Sequence, residues 1–337
     1  MTRRIGCALL LLLFVVPLAS AKRHSVVPGR GNCLYGVLDP DVFVSEIALD
    51  ATHVYYVDDL DSILYRIPKN GGPRTKLAEF PNVLITEMIV DDTNVYLATL
   101  PGDFSETLPP GDIYAVPKGG GTPRTIVNGV LFATKLAADA THVYWVSVGT
   151  VKLLQEEVLS DGKVERVTKD GATRQALATG LSLPTSLGLD DTSVYFGETG
   201  QAVRNTSMGL RRVAKNGGAV THLQDSYAVS YIEPSGNDFI FSGASADTSG
   251  LFRITKTGAV QLLVADEQID GPPHVFDGFV YYVTFTDEEQ DALMRIPVTG
   301  GTPAFLRSPD SNQSGLEIDE CGIYLGNNEG ELVKGTR

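Results

Sequence analysis

The sequence predicts an all-β fold, a seven-bladed β-propeller built from four-stranded antiparallel blades, and three observations carry this prediction. A short pattern recurs seven times, further strand-like segments follow it in each unit, and the two ends of the chain are complementary parts of one unit. Four strands in about 40–50 residues is the size of one propeller blade. The 337 residues, 43% of them hydrophobic, are enough to bury the core of such a ring.

The recurring pattern is an apolar strand, an Asp, a two- or three-residue turn, and then Val-Tyr followed by an aromatic or aliphatic residue. Its seven copies, of which the fifth is degenerate, span residues 47–56, 88–97, 136–145, 187–196, 232–241, 275–282 and 316–325. We expect each Asp to accept backbone N–H bonds at its turn. We expect the tyrosines, which lie on the second strand, to pack between neighbouring blades.

Each unit continues with a second hairpin that turns on glycine. Residues 64–72 read Leu-Tyr-Arg-Ile-Pro-Lys-Asn-Gly-Gly, and related segments begin at residues 113, 164, 210, 251 and 293. Asn-Gly and Gly-Gly supply the positive φ that tight hairpins need. A lysine recurs at this turn and predicts a basic face on this side of the ring: Lys69, Lys118, Lys169, Lys215 and Lys256.

The ends of the chain predict how the ring closes. The seventh unit stops at Arg337 before its fourth strand, and residues 31–37 precede the first unit at the spacing where that strand belongs. The N-terminal strand should therefore complete the last blade and cover its open edge. Cys33 and Cys321 would then lie in this closing blade, and we predict a disulfide between them, two free thiols being the alternative.

Residues 1–21 have the features of a secretory signal peptide. Arg3 and Arg4 precede a 14-residue apolar run, and Ala19-Ser20-Ala21 fits a cleavage site. The run is too short for a comfortable membrane span. We therefore predict a signal peptide at 1–21, a linker at 22–30 and the propeller at 31–337. The mature protein should be secreted or periplasmic, without stable membrane insertion.

The motifs also carry a resemblance to a known family. Asp-x-x-x-Val-Tyr-Trp/Tyr/Phe, together with Arg-Ile/Val-Pro-Lys-x-Gly-Gly, resembles the YWTD propellers of the low-density-lipoprotein-receptor type. The chain looks more like their secreted bacterial relatives, the YWTD-like or TolB-like propellers. The resemblance covers nearly all of the mature chain and implies a binding platform. The receptor propellers have six blades, whereas this sequence has seven units, so no specific partner is transferred.

One face of the predicted ring carries the variable loops. The loops between the second and third strands of each blade differ in length and are rich in acids, and the chain has a net charge of −14. This charge argues against nucleic acid as a partner. Variable loops on a rigid scaffold commonly bind ligands, so we predict a protein, peptide or glycan partner of cationic character. The candidate acids are Asp58, Asp59, Asp61, Asp287, Glu288, Glu289 and Asp291.

A second set of candidates lines the central tunnel. The first strand of each blade begins with a Ser or Thr in most units, followed by a residue that varies in chemistry. The repeated hydroxyl suggests structure, and the variable residue suggests a pocket specific to each blade. The variable polar residues expected near the acidic mouth of the tunnel are Glu46, Glu87, Lys135, Tyr231 and His274.

The function predicted from these features is a non-catalytic binding platform. No nucleophile elbow, zinc motif or phosphate loop occurs, and only one histidine, His274, is placed near the tunnel. The alternative is a propeller lyase or hydrolase with a metal at the channel mouth, held by Glu46 and Glu87. We predict no cofactor; Ca²⁺ is the alternative for the acidic loops, although no Asp-x-Asp-x-Asp-Gly loop is present.

Overall fold

The computed structural model is a ring of seven four-stranded antiparallel sheets, as predicted. The predicted signal peptide, Cys33 and residues 287–289 lie outside the residues that the structure describes. Those residues are 27–28, 34–103, 106–155, 157–200, 208–266, 268–285, 291–307, 315–327 and 330–337.

Every blade has the same order of strands from the tunnel outward, which we call inner, second, third and outer. The inner strands are Val44–Leu49, Val83–Val90, Ala133–Ala138, Pro184–Leu189, Ala228–Ser235, Ile269–Phe276 and Leu316–Asp319. The second strands are His53–Asp58, Asn94–Pro101, His142–Ser147, Ser193–Glu198, Asp238–Ala244, Phe279–Phe285 and Gly322–Asn327. The third strands are Ile63–Pro68, Gly111–Pro117, Gly162–Thr168, Gly209–Ala214, Ser249–Thr255, Asp291–Pro297 and Glu331–Gly335. The outer strands are Thr75–Glu79, Arg124–Val130, Arg174–Leu181, Thr221–Gln224, Val260–Ala265, Ala304–Arg307 and, for blade 7, Leu34–Pro40.

The closure of the ring follows the prediction. The outer strand of blade 7 is the N-terminal strand, Leu34–Pro40, which pairs antiparallel with Glu331–Gly335 and places Gly36 opposite Lys334. Two residues of the predicted linker, Val27–Pro28, add a short fifth strand to this sheet. The closing blade therefore joins both ends of the described chain through main-chain hydrogen bonds.

The hydrophobic core is divided into seven layers, one between each pair of neighbouring blades. Tyr55 and Val57 of blade 1, for example, share a buried cluster with Leu97 and Val116 of blade 2. The tyrosines of the second strands are buried in these layers, as predicted. Burying a large apolar side chain contributes about 2 kcal/mol relative to exposure, so each blade is stabilised mainly by its two neighbours.

The turn between the inner and second strands binds the next blade as well as its own. In blade 3, Asp139 accepts the backbone N–H groups of Thr141 and His142 at 2.9 Å each and the Tyr144 hydroxyl at 2.8 Å. It also pairs with Lys215 of blade 4 at 3.0 Å. Burial alone would raise the pKa of Asp139, but these hydrogen bonds and the ammonium group outweigh it and lower the pKa.

Among the residues that the structure describes, five such sets of Asp, Tyr and Lys occur, and we call each an inter-blade staple. The Lys ammonium group lies 5.6 to 6.0 Å from the centre of the Tyr ring in all five. The predicted basic face is therefore wrong, because each of the five lysines is neutralised by an aspartate. The staples are Asp50–Tyr55–Lys118, Asp91–Tyr96–Lys169, Asp139–Tyr144–Lys215, Asp190–Tyr195–Lys256 and Asp319–Tyr324–Lys69.

The junction between blades 5 and 6 replaces all three members of the staple. Ser235, Ile240 and Val298 stand where the five staples have Asp, Tyr and Lys. Ile240 is fully buried in the apolar layer between these blades. No member of the trio is left as an unpaired charge, because the three positions have changed together.

A Lys215→Met variant should lower the free energy of unfolding by about 1 kcal/mol, because Asp139 would lose its partly buried cationic partner while the alkyl stem is kept. Urea unfolding followed by tryptophan fluorescence measures this change. Lys76→Met is the matched control, since Lys76 pairs with Glu79 at the exposed edge of an outer strand. Equal losses in the two variants would contradict a stabilising effect specific to the staple.

Candidate functional site

The inner strands surround a central tunnel, and most of them carry a bulge near the loop face. In blades 2 to 5 the pairing with the second strand skips one residue: Thr86, Thr134, Thr185 and Ser230. Thr86 donates its hydroxyl to the Ala133 carbonyl of the next blade at 2.9 Å, and Thr185 donates to Ser230 at 2.9 Å. The repeated hydroxyl residue therefore marks a bulge, which redirects the side chain that follows it.

The residues after the bulges form the outer of two layers in the tunnel, which we call the mouth layer. It comprises Glu46, Glu87, Lys135, Ser186 and Tyr231. Four of the five predicted tunnel residues thus lie here, at the end of the tunnel that opens on the loop face. Tyr231 is 37% exposed, whereas Glu87 is buried.

Two residues further along each strand lies a second layer, the deep layer, whose members pair with the residue at the Tyr position of the second strand. It comprises Ala48, Ile89, Ala137, Gly188, Glu233, His274 and Glu317. His274 was expected in the mouth layer; the structure places it one layer deeper because the turn after its strand is shorter. At this depth the residues of blades 1 to 4 are small or apolar, and those of blades 5 to 7 have ionisable side chains.

Glu233 and Glu317 are tunnel residues that the sequence analysis missed. The period of two along a strand contains the signal, because Glu233 follows Tyr231 by two residues and so faces the same side. Glu317 follows Gly315 by two residues in the same way. The predicted set contains only the first tunnel-facing position of each strand and therefore lacks the deeper carboxylates.

Charge in the tunnel is dominated by carboxylates. Lys135 Nζ lies 2.9 Å from Glu87 Oε1 on the neighbouring blade. Burial raises the pKa of Glu233 to about 7 and that of Glu317 to about 8, although Lys135 acts in the opposite direction. Burial, followed by repulsion from Glu87, also raises the pKa of Glu46 well above its usual range.

The imidazole of His274 is neutral near pH 7. Burial, and then the positive charge of Lys135, lower its pKa to about 3. Its Nε2 atom is shielded from solvent and has no hydrogen-bond partner. Three inner-strand hydroxyls in the described residues are in the same condition: Ser45, Thr134 and Ser186. Buried polar atoms usually have partners; the one other such atom in the described residues is Trp145 Nε1, on the second strand of blade 3.

Two other possible sites have less support. Within the described ranges, no three His, Cys, Asp or Glu side chains are grouped so that they could hold one metal ion. A groove of about 630 Å³ opens on the turn face between blades 2 and 3. Its lining includes Asp91, Asp139 and Lys169, whose charges are already paired within the staples.

The predicted acidic loop residues have different surroundings. Asp58 is buried, its carboxylate accepts the Leu60 N–H at 3.4 Å, and burial raises its pKa. Its observed contacts are those of a turn residue. Asp59 and Asp61 are exposed on the loop face. Asp291 begins a third strand, but its side chain is not described, and Asp287, Glu288 and Glu289 lie outside the described residues.

The loop face also displays apolar side chains. Of the seven large hydrophobic residues that are exposed in the described part of the chain, five lie on this face: Leu60, Leu84, Leu154, Tyr231 and Phe285. Leu60 and Leu154 are the most exposed of the seven, at 64% and 71%. The other two, Leu262 and Phe305, lie on outer strands at the side of the ring.

The longest loops of this face form a ridge with its own core. Residues 98–112 of blade 2 and 146–162 of blade 3 share a buried cluster that includes Leu100, Leu108 and Val151. The two loops are joined by backbone hydrogen bonds from Leu108 to Val151 at 2.9 Å and from Leu153 to Glu106 at 2.8 Å. Leu153 is hydrogen-bonded into this ridge, and the next residue, Leu154, is exposed on it.

Comparison with known proteins supports the fold. The sequence matches no protein-family model and no curated protein. It is similar in structure to a streptogramin B lyase, with a TM-score of 0.63 and 14% identity over 89% of this chain and 95% of that one. YCF48 bound to D1 peptide gives a TM-score of 0.60 and 9% identity over 96% of this chain and 97% of that one.

A chain of the nidogen/laminin complex is also similar, with a TM-score of 0.52 and 14% identity over 74% of this chain and 90% of that one. At these identities the similarity shows the β-propeller fold alone, and the particular repeat family stays a prediction. No helix in the part of the chain that the structure describes has the length and hydropathy to span a membrane.

Proposed function

We propose that the protein is a non-catalytic binding protein that docks a protein or peptide segment on the loop face, over the mouth of the tunnel. The observation that carries this proposal is that, of the seven exposed large hydrophobic residues in the described ranges, five lie on that one face. Exposed apolar groups that are grouped together, with polar residues around them, are typical of interaction sites. The exposed acids Asp59 and Asp61 are on the same face and favour a cationic partner.

The well-packed structure of the longest loops supports the same proposal. A partner loses less conformational entropy on binding when the receptor surface is already fixed. The ridge of blades 2 and 3 is fixed by its own buried cluster and by main-chain hydrogen bonds. Aliphatic side chains such as Leu60 and Leu154 suit the apolar side chains of a peptide, so we favour a protein or peptide over a glycan.

The similar structures include both binding proteins and enzymes, and they support the proposal only as precedents. YCF48 is bound to a peptide and nidogen to laminin, whereas the streptogramin B lyase is an enzyme by name. A lyase or hydrolase with a metal at Glu46 and Glu87 is the alternative function. The ion pair between Glu87 and Lys135 occupies one of those two carboxylates, so no observation favours the alternative.

We also propose that this binding takes place outside the cytoplasm, in the periplasm or after secretion. The basic start, apolar run and small-residue site of residues 1–21 support export. An exported, rigid ring with an acidic and apolar face is suited to capturing basic segments of envelope or extracellular proteins.

Selection of displayed peptides on the immobilised protein tests the proposed function. Peptides selected on the wild type should bind a Leu60→Ser/Leu154→Ser variant about tenfold more weakly or worse, because they would lose exposed apolar anchors. The matched control is Leu262→Ser/Phe305→Ser, which removes two exposed apolar residues from the side of the ring and should leave affinity unchanged. Equal binding by the two variants would place the contact away from the loop face.

A further inference from the structure

The tunnel offers hydrogen-bond acceptors in excess of donors. Four carboxylates line it, on Glu46, Glu87, Glu233 and Glu317, and they face one ammonium group, that of Lys135. Lys135 is in contact with Glu87. In the part of the chain that the structure describes, the other three carboxylates have no ion-pair partner in contact.

A second observation, independent of the carboxylates, points to a ligand in the same place. In the described residues, His274 Nε2 of the deep layer and the Ser186 hydroxyl of the mouth layer are shielded from solvent and have no hydrogen-bond partner. These two atoms belong to the inner strands of blades 6 and 4. A hydroxyl oxygen and one nitrogen of a neutral imidazole accept hydrogen bonds, so a ligand rich in N–H donors would satisfy both sets of groups.

We propose that the tunnel binds the ammonium group of a lysine side chain carried by the protein or peptide docked on the loop face, an inference that rests on the proposed function. An ammonium group has three donors and no acceptor, which complements a lining of carboxylates, hydroxyls and one imidazole. The mouth layer opens between the exposed apolar residues of the loop face, so a docked segment can place one basic side chain in the tunnel.

An organic cation fits this lining better than a metal ion. Metal sites need several ligands gathered at about 2.0–2.6 Å from one point. The described His, Cys, Asp and Glu residues form no such group; Glu46, Glu233 and Glu317 come from three different blades. Carboxylates spread around a tunnel suit the longer hydrogen bonds of an ammonium group.

Binding of a cation here should be linked to proton release. The titratable groups that face the tunnel are Glu46 on blade 1, Glu87 on blade 2, Lys135 on blade 3, Glu233 and Tyr231 on blade 5, His274 on blade 6 and Glu317 on blade 7. Blade 4 contributes only the neutral Ser186. Since the pKa values of Glu233 and Glu317 are about 7 and about 8 in the free protein, an entering cation displaces protons, and affinity should rise from pH 6 to pH 9.

The test uses N-acetyl-lysine-N-methylamide as the probe and N-acetyl-norleucine-N-methylamide as its neutral isostere, with binding measured by NMR titration of the full-length mature protein. The lysine probe should bind, and its affinity should be at least about fivefold higher at pH 8.5 than at pH 6.0. The norleucine probe should not bind. Glu233→Gln/Glu317→Gln should weaken binding of the lysine probe about tenfold and remove most of the pH dependence of that binding. Glu79→Gln, which changes an exposed acid on an outer strand away from the tunnel, should leave binding of the lysine probe within about twofold.

Besides failure of the lysine probe to bind, three results would overturn the inference. They are equal weakening by the tunnel and surface variants, binding of spermidine about a hundredfold tighter than the lysine probe, and displacement of the probe by micromolar Ca²⁺ or Mg²⁺. Glu46→Gln serves as the second tunnel variant if the double variant fails to fold. If the lysine probe does not bind while displayed peptides still depend on Leu60 and Leu154, the tunnel inference fails and the proposed docking function stands.

Discussion

A Lys135→Met variant is expected to lose about 3 kcal/mol of unfolding free energy at pH 8, because Glu87 would be left buried without the cation it contacts. The same change removes the one positive charge that opposes the repulsion among the tunnel carboxylates. The expected loss is at the lower end for buried pairs, since Lys135 keeps about a third of its side chain exposed to the tunnel.

This loss should depend on pH, and the direction follows from the raised pKa values. Glu233 and Glu317 bind protons more tightly in the folded protein than in the unfolded chain, so their ionisation destabilises the fold as pH rises from about 4.5 to about 8. Below this window they are protonated in the folded protein and the lost ammonium matters less. Urea unfolding should therefore show a clearly smaller loss at pH 5 than at pH 8.

A double variant separates charge from packing in this prediction. Lys135→Met/Glu87→Gln should recover about half of the lost stability, because no ionised carboxylate then lies next to the methionine. A loss that is equal at both pH values and is not recovered by the double variant would show that Lys135 stabilises the ring through its alkyl stem.

A Cys321→Ser variant is expected to lose about 4–5 kcal/mol of stability, because the predicted disulfide would close a very long loop and restrict the unfolded chain. Cys321 donates its N–H to Asp319 at 2.7 Å, at the turn of the closing blade. A Cβ atom placed on the next residue, Gly322, would lie 3.2 Å from the ring of Tyr35, two residues after Cys33. The segment that follows Cys33 is thus folded against the turn that contains Cys321.

Thermal unfolding with and without reductant is the measurement for this clasp. The wild type should lose stability on reduction by the amount that Cys321→Ser loses, and the variant itself should be insensitive to reductant. A wild-type protein whose unfolding midpoint is unchanged by strong reductant would contradict the pairing of Cys33 with Cys321.

The sequence was sufficient to predict the features that depend on contacts within one repeat. The number of blades, the closing N-terminal strand and the turn function of residues such as Asp50 and Asp139 all depend on neighbouring strands of one sheet. These contacts recur with the period of the chain, so a single sequence contains seven independent records of them. The glycines of the third-to-outer turns follow the same logic, and Gly71 and Gly120 have the positive φ that was expected.

The remaining features depend on contacts between repeats. Lys118 was assigned to a basic face because nothing in its own repeat pairs with it; its partner is Asp50 of the preceding blade. Glu233 and Glu317 are a different case, because the period of two along their own strands already indicates that they face the tunnel. His274 lies one layer deeper than expected, since a shortened turn shifts its register relative to the other blades. A burial difference within one loop, between Asp58 and Asp59, was also not evident from the residue types.

The junction between blades 5 and 6 indicates that residues of two consecutive repeats form one structural set. Ser235 and Ile240 belong to one repeat, and Val298 belongs to the next, yet the three have departed from the pattern together. The set of residues that forms one staple is therefore offset from the duplicated segment and spans two consecutive copies. Transplanting one blade alone into another ring would break two such sets, one on each side, whereas exchanging the contact surfaces at one junction would keep both rings intact.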